Sequence, residues 1–402
     1  MTSTARSEEL LARAAELIPA WTQTLSKNPT QWVQGAPRYV QRGEGAHLVD
    51  VDGNRWLDWP MALGPVILGY GDPAVDDAIR RQLDDGIIFT LAHPVEVEVA
   101  EAIVARVPGA ERVRFGKSGS DANSAAIRVS RAATGREHVL VCGYHGWHDW
   151  YIGSTTRDRG VPRADAALVA SFPFGDLDAL DAALDAQGGD TAAVIVEPAG
   201  AAEPPPGFLK GVVERARAHG AVSVFDEIIT GFRLAPGGAQ ERYGVVPDLA
   251  TFGKALGNGM PISALAGRAE VMEVLDDVFF SGTHGGEALS LAAARTVLDR
   301  LDAAAYERLE AHGRRLGDAV AAAIADAGVG DWVSIGGAPA RTVVQIREPG
   351  DPADGLVARS VVQQEMLRHG VLFNGNNFMS LAHEPADLDR TVAAYAAAFT
   401  RL

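Results

Sequence analysis

The sequence contains almost no cysteine, since Cys142 is the single one among 402 residues. One cysteine excludes an intrachain disulfide and a cluster of thiolate metal ligands. Cys142 follows the apolar residues Val139, Leu140 and Val141. We therefore interpret it as a buried strand residue.

The sequence also lacks an excess of basic residues and any long apolar run. It has 36 basic and 52 acidic residues, for a net charge of −16. Nucleic acids and anionic membranes select basic surfaces, so we expect neither as a partner. No apolar run approaches the roughly 20 residues that cross a bilayer. Residues 7–17 are too short and too charged for a signal peptide. These absences predict a cytoplasmic protein.

What the sequence does contain is enough apolar material, at 47% hydrophobic residues, for a large core and two lobes. Helical patterns at 73–84, 94–106, 121–134, 208–219 and 286–302 alternate with short apolar runs at 139–142, 192–196, 221–225 and 249–252. This alternation predicts an α/β fold built from βαβ units. Near-continuous apolar strands are typical of a mainly parallel sheet that is covered on both faces.

Three segments are predicted along the chain. Residues 1–71 hold a helix and a hairpin around Asp52-Gly53, and we expect them to pack with the small domain. Residues 72–302 form the large domain. Residues 303–402 form a smaller α+β domain, with helices at 302–327, 355–369 and 385–401 and strands at 341–346 and 371–373.

Chemically useful side chains follow each of the four apolar runs. In an open parallel sheet, ligands bind beyond the carboxyl ends of the strands. The side chains that the runs bring to this edge are, in order, Tyr144 and His145, then Glu197, then Asp226 and Glu227, then Lys254. Their joint position predicts one ligand site.

Lys254 and the two acids are the candidates for chemistry. A desolvated lysine can attack an aldehyde, whereas most lysines are simply solvated. Asp226 and Glu227 could be an acid–base pair, metal ligands or a salt-bridged cap. A carboxylate that faces a pyridine nitrogen would keep that nitrogen protonated.

Ser118, Gly119 and Ser120 stand just before a predicted helix. Backbone N–H groups at a helix N-terminus with small hydroxyl side chains can hold a phosphate, although a plain helix cap gives the same pattern. A nucleoside-triphosphate loop would need a glycine where Glu111 stands, so that interpretation is disfavoured.

His145, His148 and Asp149 are close in sequence and could be metal ligands. No metalloprotease pattern accompanies them. We favour an aromatic wall formed by Tyr144 and His145 against a planar ligand, and we predict no metal.

Two stretches carry a resemblance to a known family. Residues 225–233 read Phe-Asp-Glu-Ile-Ile-Thr-Gly-Phe-Arg, and residues 247–254 read Pro-Asp-Leu-Ala-Thr-Phe-Gly-Lys. They resemble class III aminotransferases that depend on pyridoxal 5′-phosphate (PLP), in the branch of glutamate-1-semialdehyde 2,1-aminomutase. The resemblance extends from about residue 50 to 383 and implies the type I PLP fold, with residues 72–302 as the PLP-binding domain.

The resemblance also implies a role for each matching residue. Lys254 would hold the cofactor as a Schiff base and shuttle a proton, and Asp226 would pair with the ring nitrogen. The other cofactor contacts would come from Ile228 and Tyr144 on the two ring faces, His145 beside them, Glu197 near the phenolic oxygen and Ser118, Gly119 and Ser120 at the phosphate. Thr283 would reach the phosphate of a neighbouring subunit, which implies a homodimer with shared active sites.

One segment departs from the family pattern. The aminomutase branch carries Ser-Pro-Val-Arg near its N-terminus, and that arginine grips the substrate carboxylate. Residues 27–34 contain no arginine here, so the bidentate clamp is lost. Trp32, Trp147 and Asn374 instead offer aromatic and neutral polar surface, which suits a hydroxyl-rich substrate.

Three functions follow as hypotheses. The leading one is transfer of an amino group from a small donor such as glutamate to a carbonyl of a small metabolite, such as a sugar or polyol in amino-sugar or secondary-metabolite biosynthesis. The alternative is an intramolecular PLP aminomutase, because the same residues serve both reactions. A non-catalytic protein that keeps the fold is a third interpretation, against which Lys254 and Asp226 argue.

Overall fold

The computed structural model describes residues 4–347 and 352–402. By their contacts, these residues divide into two compact units. We call residues 74–306 the central unit, and the described part of residues 1–73 together with 307–402 the terminal unit. None of the described helices is both long and apolar enough to span a bilayer.

The strands of the described residues are Val40–Glu44 (β1), His47–Asp50 (β2), Arg55–Asp58 (β3), Arg112–Gly116 (β4), His138–Cys142 (β5), Val169–Ser171 (β6), Thr191–Val196 (β7), Val222–Asp226 (β8), Leu249–Phe252 (β9), Ser263–Gly267 (β10), Val333–Gly336 (β11), Arg341–Ile346 (β12), Val371–Leu372 (β13) and Asn376–Phe378 (β14). Each apolar run in the sequence prediction lies within one of these strands or overlaps it. The predicted Cys142 position is also confirmed, because its side chain is buried in β5.

The α-helices are Ala5–Leu17 (α1), Pro73–Asp85 (α2), Pro94–Val104 (α3), Gly119–Thr134 (α4), Asp149–Ile152 (α5), Arg163–Ala167 (α6), Leu177–Ala186 (α7), Phe208–Ala218 (α8), Gly238–Tyr243 (α9), Ala269–Met272 (α10), Ala288–Arg300 (α11), Ala303–Asp326 (α12), Pro352–Arg368 (α13) and Pro385–Phe399 (α14). The predicted long helices are present, with ends that differ by a few residues. Such shifts are expected because helix ends depend on caps rather than on periodicity.

The central unit is built on a seven-stranded sheet, in the order β4-β10-β9-β8-β7-β5-β6. Strands β6, β5, β7, β8 and β9 pair in parallel, whereas β10 runs antiparallel to both β9 and β4. Every residue of β7, β8 and β9 is buried, as expected for strands with helices on both faces. The predicted α/β class with a mainly parallel mixed sheet is confirmed.

The terminal unit contains a four-stranded sheet, β1-β2-β3-β13, and a three-stranded sheet, β11-β12-β14. The predicted hairpin joins β2 to β3. Its turn is held by Asp50 Oδ1, which accepts the N–H groups of Asp52 and Asn54, and Gly53 supplies the left-handed residue at φ +87°. Strand β13 pairs in parallel with β3, although more than 300 residues of sequence separate the two strands.

A stacked histidine lies in the core of the terminal unit. The His383 ring lies 4.1 Å from the Trp59 ring, with 9° between their planes, and both side chains are fully buried. His383 Nδ1 accepts the N–H group of Ser380 at 3.1 Å. Burial lowers the pKa of His383 to about 4, because the charged ring would lose its hydration.

This lowered pKa predicts a loss of stability in mild acid. Below pH 6.5 the unfolded chain binds a proton at His383 that the folded chain binds only near pH 4, so the contribution is complete above pH 6.5 and is lost as the pH falls. It amounts to about 3 kcal/mol. Denaturant unfolding at pH 7 and pH 4.5 should therefore show a smaller acid loss for His383→Gln than for the wild type. His284→Gln, at an exposed histidine, should keep the wild-type loss. Equal acid losses in His383→Gln and the wild type would contradict the prediction.

Candidate active site

The carboxyl ends of four neighbouring strands lie side by side at one edge of the central sheet. The register pairs Cys142 with Val196, Val196 with Phe225, and Asp226 with Thr251. The residues that follow β5, β7 and β9 therefore emerge beside the last residue of β8, which is Asp226. This shared edge holds the predicted residues Tyr144, His145, Glu197, Asp226 and Lys254.

Asp226 lies at the centre of a buried polar network. Its Oδ2 accepts Asn123 Nδ2 at 2.8 Å and lies 2.8 Å from His145 Nδ1, while its Oδ1 accepts the N–H group of Ile228 at 3.1 Å. The side chains of Asn123, His145 and Asp226 are all nearly inaccessible to solvent. These three contacts fix the position of the carboxylate.

The acceptor capacity of Asp226 is not exhausted by these donors. An ionised carboxylate offers about four lone-pair positions. Within the described part of the chain, donors occupy three of them, two on Oδ2 and one on Oδ1. The remaining position on Oδ1 suits the N–H group of a protonated ring nitrogen.

Helix α4 begins at the same edge with the predicted phosphate residues. Ser118 Oγ accepts the N–H group of Asp121, and Asp121 Oδ2 accepts those of Lys117 and Ser118. This capping box leaves the N–H groups of Gly119 and Ser120, the first two helical residues, without an intrahelical acceptor. The helix start can therefore donate to an anion at these two positions.

Ile228 packs between the start of α4 and the residue before Lys254. A Cβ atom on Gly119 would lie 3.1 Å from the Ile228 side chain, and one on Gly253 would lie 3.2 Å from it. Lys254 itself has a left-handed backbone, at φ +38°. Strain of this kind in a residue other than glycine is concentrated at functional sites.

The aromatic residues after β5 leave large surfaces exposed. Tyr144 is 61% exposed and Trp147 is 68% exposed, although the Tyr144 ring packs edge-to-face on Tyr151 at 5.6 Å. Glu197 Oε2 accepts the N–H group of Tyr144 at 2.9 Å. Gly143 has φ +114°, and a Cβ atom there would lie 2.6 Å from that same oxygen, so this turn requires glycine.

Thr283 lies on an exposed loop that lines a cavity of about 450 Å³, together with Lys117 and Asp121. Lys117 Nζ pairs with Glu287 Oε2 at 2.9 Å, and Glu287 also caps the start of α11. The pair links the segment before the predicted phosphate residues to the segment after Thr283. The reach of Thr283 towards a neighbouring subunit stays a prediction.

Two of the predicted substrate residues lie in the terminal unit. Trp32 lines a cavity of about 430 Å³ with Tyr39, Asp58 and Tyr70. Asn374 Oδ1 accepts the N–H group of Asn376 at 3.1 Å. The third, Trp147, is in the central unit, where its backbone N–H group donates to Ser120 Oγ at 3.3 Å.

Asn123 and Thr251 are site residues that the sequence prediction missed. Asn123 stands among the buried, mostly apolar residues of α4, and Thr251 stands within the apolar strand β9. The signal in the sequence was a polar residue at a buried position of an apolar helix or strand, because a buried polar group needs a hydrogen-bond partner. The sequence could not name that partner.

The metal interpretation of His148 finds no support in the geometry. His148 Nδ1 lies 2.6 Å from Ser124 Oγ, which also accepts Trp150 Nε1 at 2.8 Å. No group of three or more His, Cys, Asp or Glu residues in the described ranges could hold a metal ion.

The acceptor, the N–H donors and the amine at this edge of the sheet fit PLP. Asp226 Oδ1 offers an acceptor to the ring nitrogen, the α4 start offers donors to the phosphate, and Lys254 offers an amine to the aldehyde. The buried His145 Nε2 has no partner among the described residues and lies at the same network. Each of these features matches one functional group of the cofactor.

Comparison with known proteins identifies the family. The sequence model of class-III aminotransferases matches residues 30–329. The glutamate-1-semialdehyde 2,1-aminomutase of Sorangium cellulosum is 39% identical over 96% of this chain and 94% of its own length. An omega-transaminase from Sphaerobacter thermophilus has a TM-score of 0.91 at 29% identity, covering 99% of this chain and 97% of its own.

A solved transaminase with PLP bound has a TM-score of 0.92 at 27% identity, covering 100% of this chain and 98% of its own. Its fold type I architecture agrees with the sheet described above. The cofactor that the family uses also agrees with the donor set around Asp226. The chain belongs to the class III aminotransferases, which are PLP-dependent enzymes of fold type I.

Proposed function

We propose that the protein is a transaminase, which moves an amino group from a donor such as glutamate to the carbonyl of a small hydroxyl-rich metabolite. The observation that carries this choice is the lost carboxylate clamp in the N-terminal segment. Residues 27–34, the segment that corresponds to the arginine-bearing one, contain no arginine, and without a guanidinium no bidentate ion pair forms there.

The nearest arginine in sequence does not replace the clamp. Arg38 Nη1 donates to the carbonyls of Pro29 and Trp32 at 3.2 and 3.5 Å, and its Nη2 donates to that of Val33 at 3.3 Å. Its guanidinium therefore holds the loop rather than offering a fork to a ligand. Partial burial also lowers the pKa of Arg38.

The roles of the remaining site residues follow from their contacts. PLP supplies an electron sink at its ring when it is bound. Asp226 Oδ1 would hold a proton on the ring nitrogen, and Lys254 Nζ would move a proton at the substrate carbon. The N–H groups of Gly119 and Ser120 would bind the phosphate, and Ile228 and Tyr144 would orient the ring.

We also propose a homodimer, in which Thr283 of one subunit binds the phosphate of the other. The support is the family resemblance and the exposure of the Thr283 loop. Shared sites of this kind would make activity depend on protein concentration near the dissociation constant.

Aminomutase activity is the second candidate. It is favoured by the name and the 39% identity of the Sorangium cellulosum relative. The residues around Lys254 and Asp226 serve both reactions, because each requires a proton to move between the substrate carbon and the cofactor. The N-terminal segment is where the two candidates differ.

A single-turnover experiment with the holoenzyme separates the two candidates. With stoichiometric L-glutamate or an amino sugar, we expect the donor to appear as its free keto product, and a hydroxylated aldehyde should then take up the amino group. Gln31→Arg, which places an arginine within residues 27–34, should raise kcat/KM for glutamate-1-semialdehyde by about 10-fold or more, since a charge-assisted bond to the substrate carboxylate is added. Complete conversion of glutamate-1-semialdehyde by the wild type without a free keto product would refute the transaminase proposal.

A further inference from the structure

The interaction between Asp226 and Asn123 depends on which way round the Asn123 amide lies. In the structure its Nδ2 faces two acceptors, Asp226 Oδ2 at 2.8 Å and the carbonyl of His145 at 3.2 Å. Its Oδ1 lies 2.6 Å from Thr251 Oγ1. Only this orientation presents a donor to the carboxylate.

Thr251 completes that orientation, because it supplies the donor that the amide oxygen needs. An amide oxygen can only accept, so the Thr251 hydroxyl must be the donor of the 2.6 Å bond. Thr251 is fully buried and Asn123 is 2% exposed, which keeps bulk water from taking over the bond. Thr251 also lies opposite Asp226 in the sheet and three residues before Lys254.

We propose that Thr251 is a positioning residue for the cofactor. Its hydroxyl holds the Asn123 amide as a donor to Asp226 Oδ2 and so leaves Oδ1 for the ring nitrogen. Thr251 thereby controls the positive charge on the ring without touching it. This inference rests on the proposed role of Asp226.

The consequence of removing the hydroxyl follows from the same contacts. Asn123 Oδ1 becomes a buried acceptor without a donor, and a flipped amide would place this oxygen against Asp226 Oδ2 and the His145 carbonyl. The flipped amide removes the donor to Asp226, and the unflipped amide donates more weakly because the hydrogen bond that polarises it is gone. Asp226 then competes more strongly for the ring proton. A less positive ring holds the neighbouring proton at the lysine linkage more tightly.

Thr251→Val and Thr251→Ser form the matched pair for the test. Valine keeps the shape and removes the hydroxyl, whereas serine keeps the hydroxyl and removes a methyl group. The measurement is the pH midpoint of the visible absorbance of PLP bound to the holoenzyme. We expect valine to move the midpoint upward by about 0.5 to 1 pH unit, the equivalent of one hydrogen bond, and serine to leave it nearly unchanged.

Steady-state kinetics give the second readout. Valine should lower kcat by about 10-fold and change the donor KM by less than about twofold, because the lost bond affects proton transfer rather than donor binding. A valine variant that loses activity with an unchanged midpoint would reduce Thr251 to a structural role and overturn the proposal.

Asp226→Asn serves as the reference variant, and the pH midpoint of its bound PLP is measured in the same way. If it moves the midpoint and Thr251→Val does not, the positioning role is wrong while the role of Asp226 stands. If neither moves it, the role of Asp226 fails and this inference fails with it. Should valine not accumulate as folded protein, Thr251→Ala against Thr251→Ser makes the same comparison, since those two variants differ by one oxygen atom.

Discussion

Lys254→Ala is expected to lower turnover by about 10⁴-fold, the upper end of what a lost acid–base group costs. The expectation rests on the position of Lys254 directly after β9, beside Asp226, with a strained backbone at φ +38°. Alanine removes both the amine that holds the cofactor and the amine that moves the proton. Initial rates with a saturating donor and acceptor measure the loss.

Mass spectrometry of the borohydride-treated protein provides a readout that does not depend on activity. Wild-type protein mixed with PLP and then treated with borohydride should carry a stable cofactor adduct at Lys254, detectable by peptide mass spectrometry. The alanine variant should carry none at that position. Lys210→Ala is the control, because Lys210 is an exposed lysine of the same unit and pairs only loosely, at 3.6 Å, with Glu214. An adduct at another lysine with unimpaired turnover would disprove the assignment.

The sequence predicts the sheet and its functional edge because both depend on local patterns. Short apolar runs between helical patterns, such as 192–196 and 249–252, are typical of buried parallel strands. The residues that follow such strands meet at one edge of the sheet. Lys254 and Asp226 were therefore accessible from strand periodicity and from the family resemblance together.

The direction of β10 and the partner of β13 were not accessible in this way. The apolar pattern of a buried strand such as residues 263–267 is the same whether the strand lies parallel or antiparallel to its neighbours. The pairing of β13 with β3 joins distant parts of the chain through backbone hydrogen bonds that carry no sequence signature.

The partners of Asp226 were hidden for a related reason. Asn123 is separated from Asp226 by 103 residues, and the two meet only after α4 has packed on the sheet. Sequence patterns show that Asn123 and Thr251 are polar residues in buried settings, but a hydrogen-bond partner is a property of the tertiary structure. The same holds for His148, because its contact with Ser124 could not be read from its proximity to His145 in sequence.

Asp226→Asn is expected to lower kcat by about 10²- to 10³-fold, the cost of removing one preorganised charge from a site. The substitution conserves shape, but an asparagine has one acceptor and one donor where the carboxylate has two acceptors. Whichever way the new amide lies, its NH2 group faces a donor, either the N–H of Ile228 or those of Asn123 and His145.

The same conflict predicts a loss of stability of about 1–3 kcal/mol, since a buried donor is left without an acceptor. Asp190→Asn is the matched control, because Asp190 Oδ2 lies 2.7 Å from His138 Nδ1 in a similar pair whose carboxylate is 44% exposed. We expect that variant to keep wild-type turnover and to lose less stability than Asp226→Asn, because exposed ion pairs contribute little. Rates and denaturant unfolding of both variants decide the matter. If the two variants lose turnover to the same extent, the charge of Asp226 has no special role, and the ring nitrogen must find its partner elsewhere.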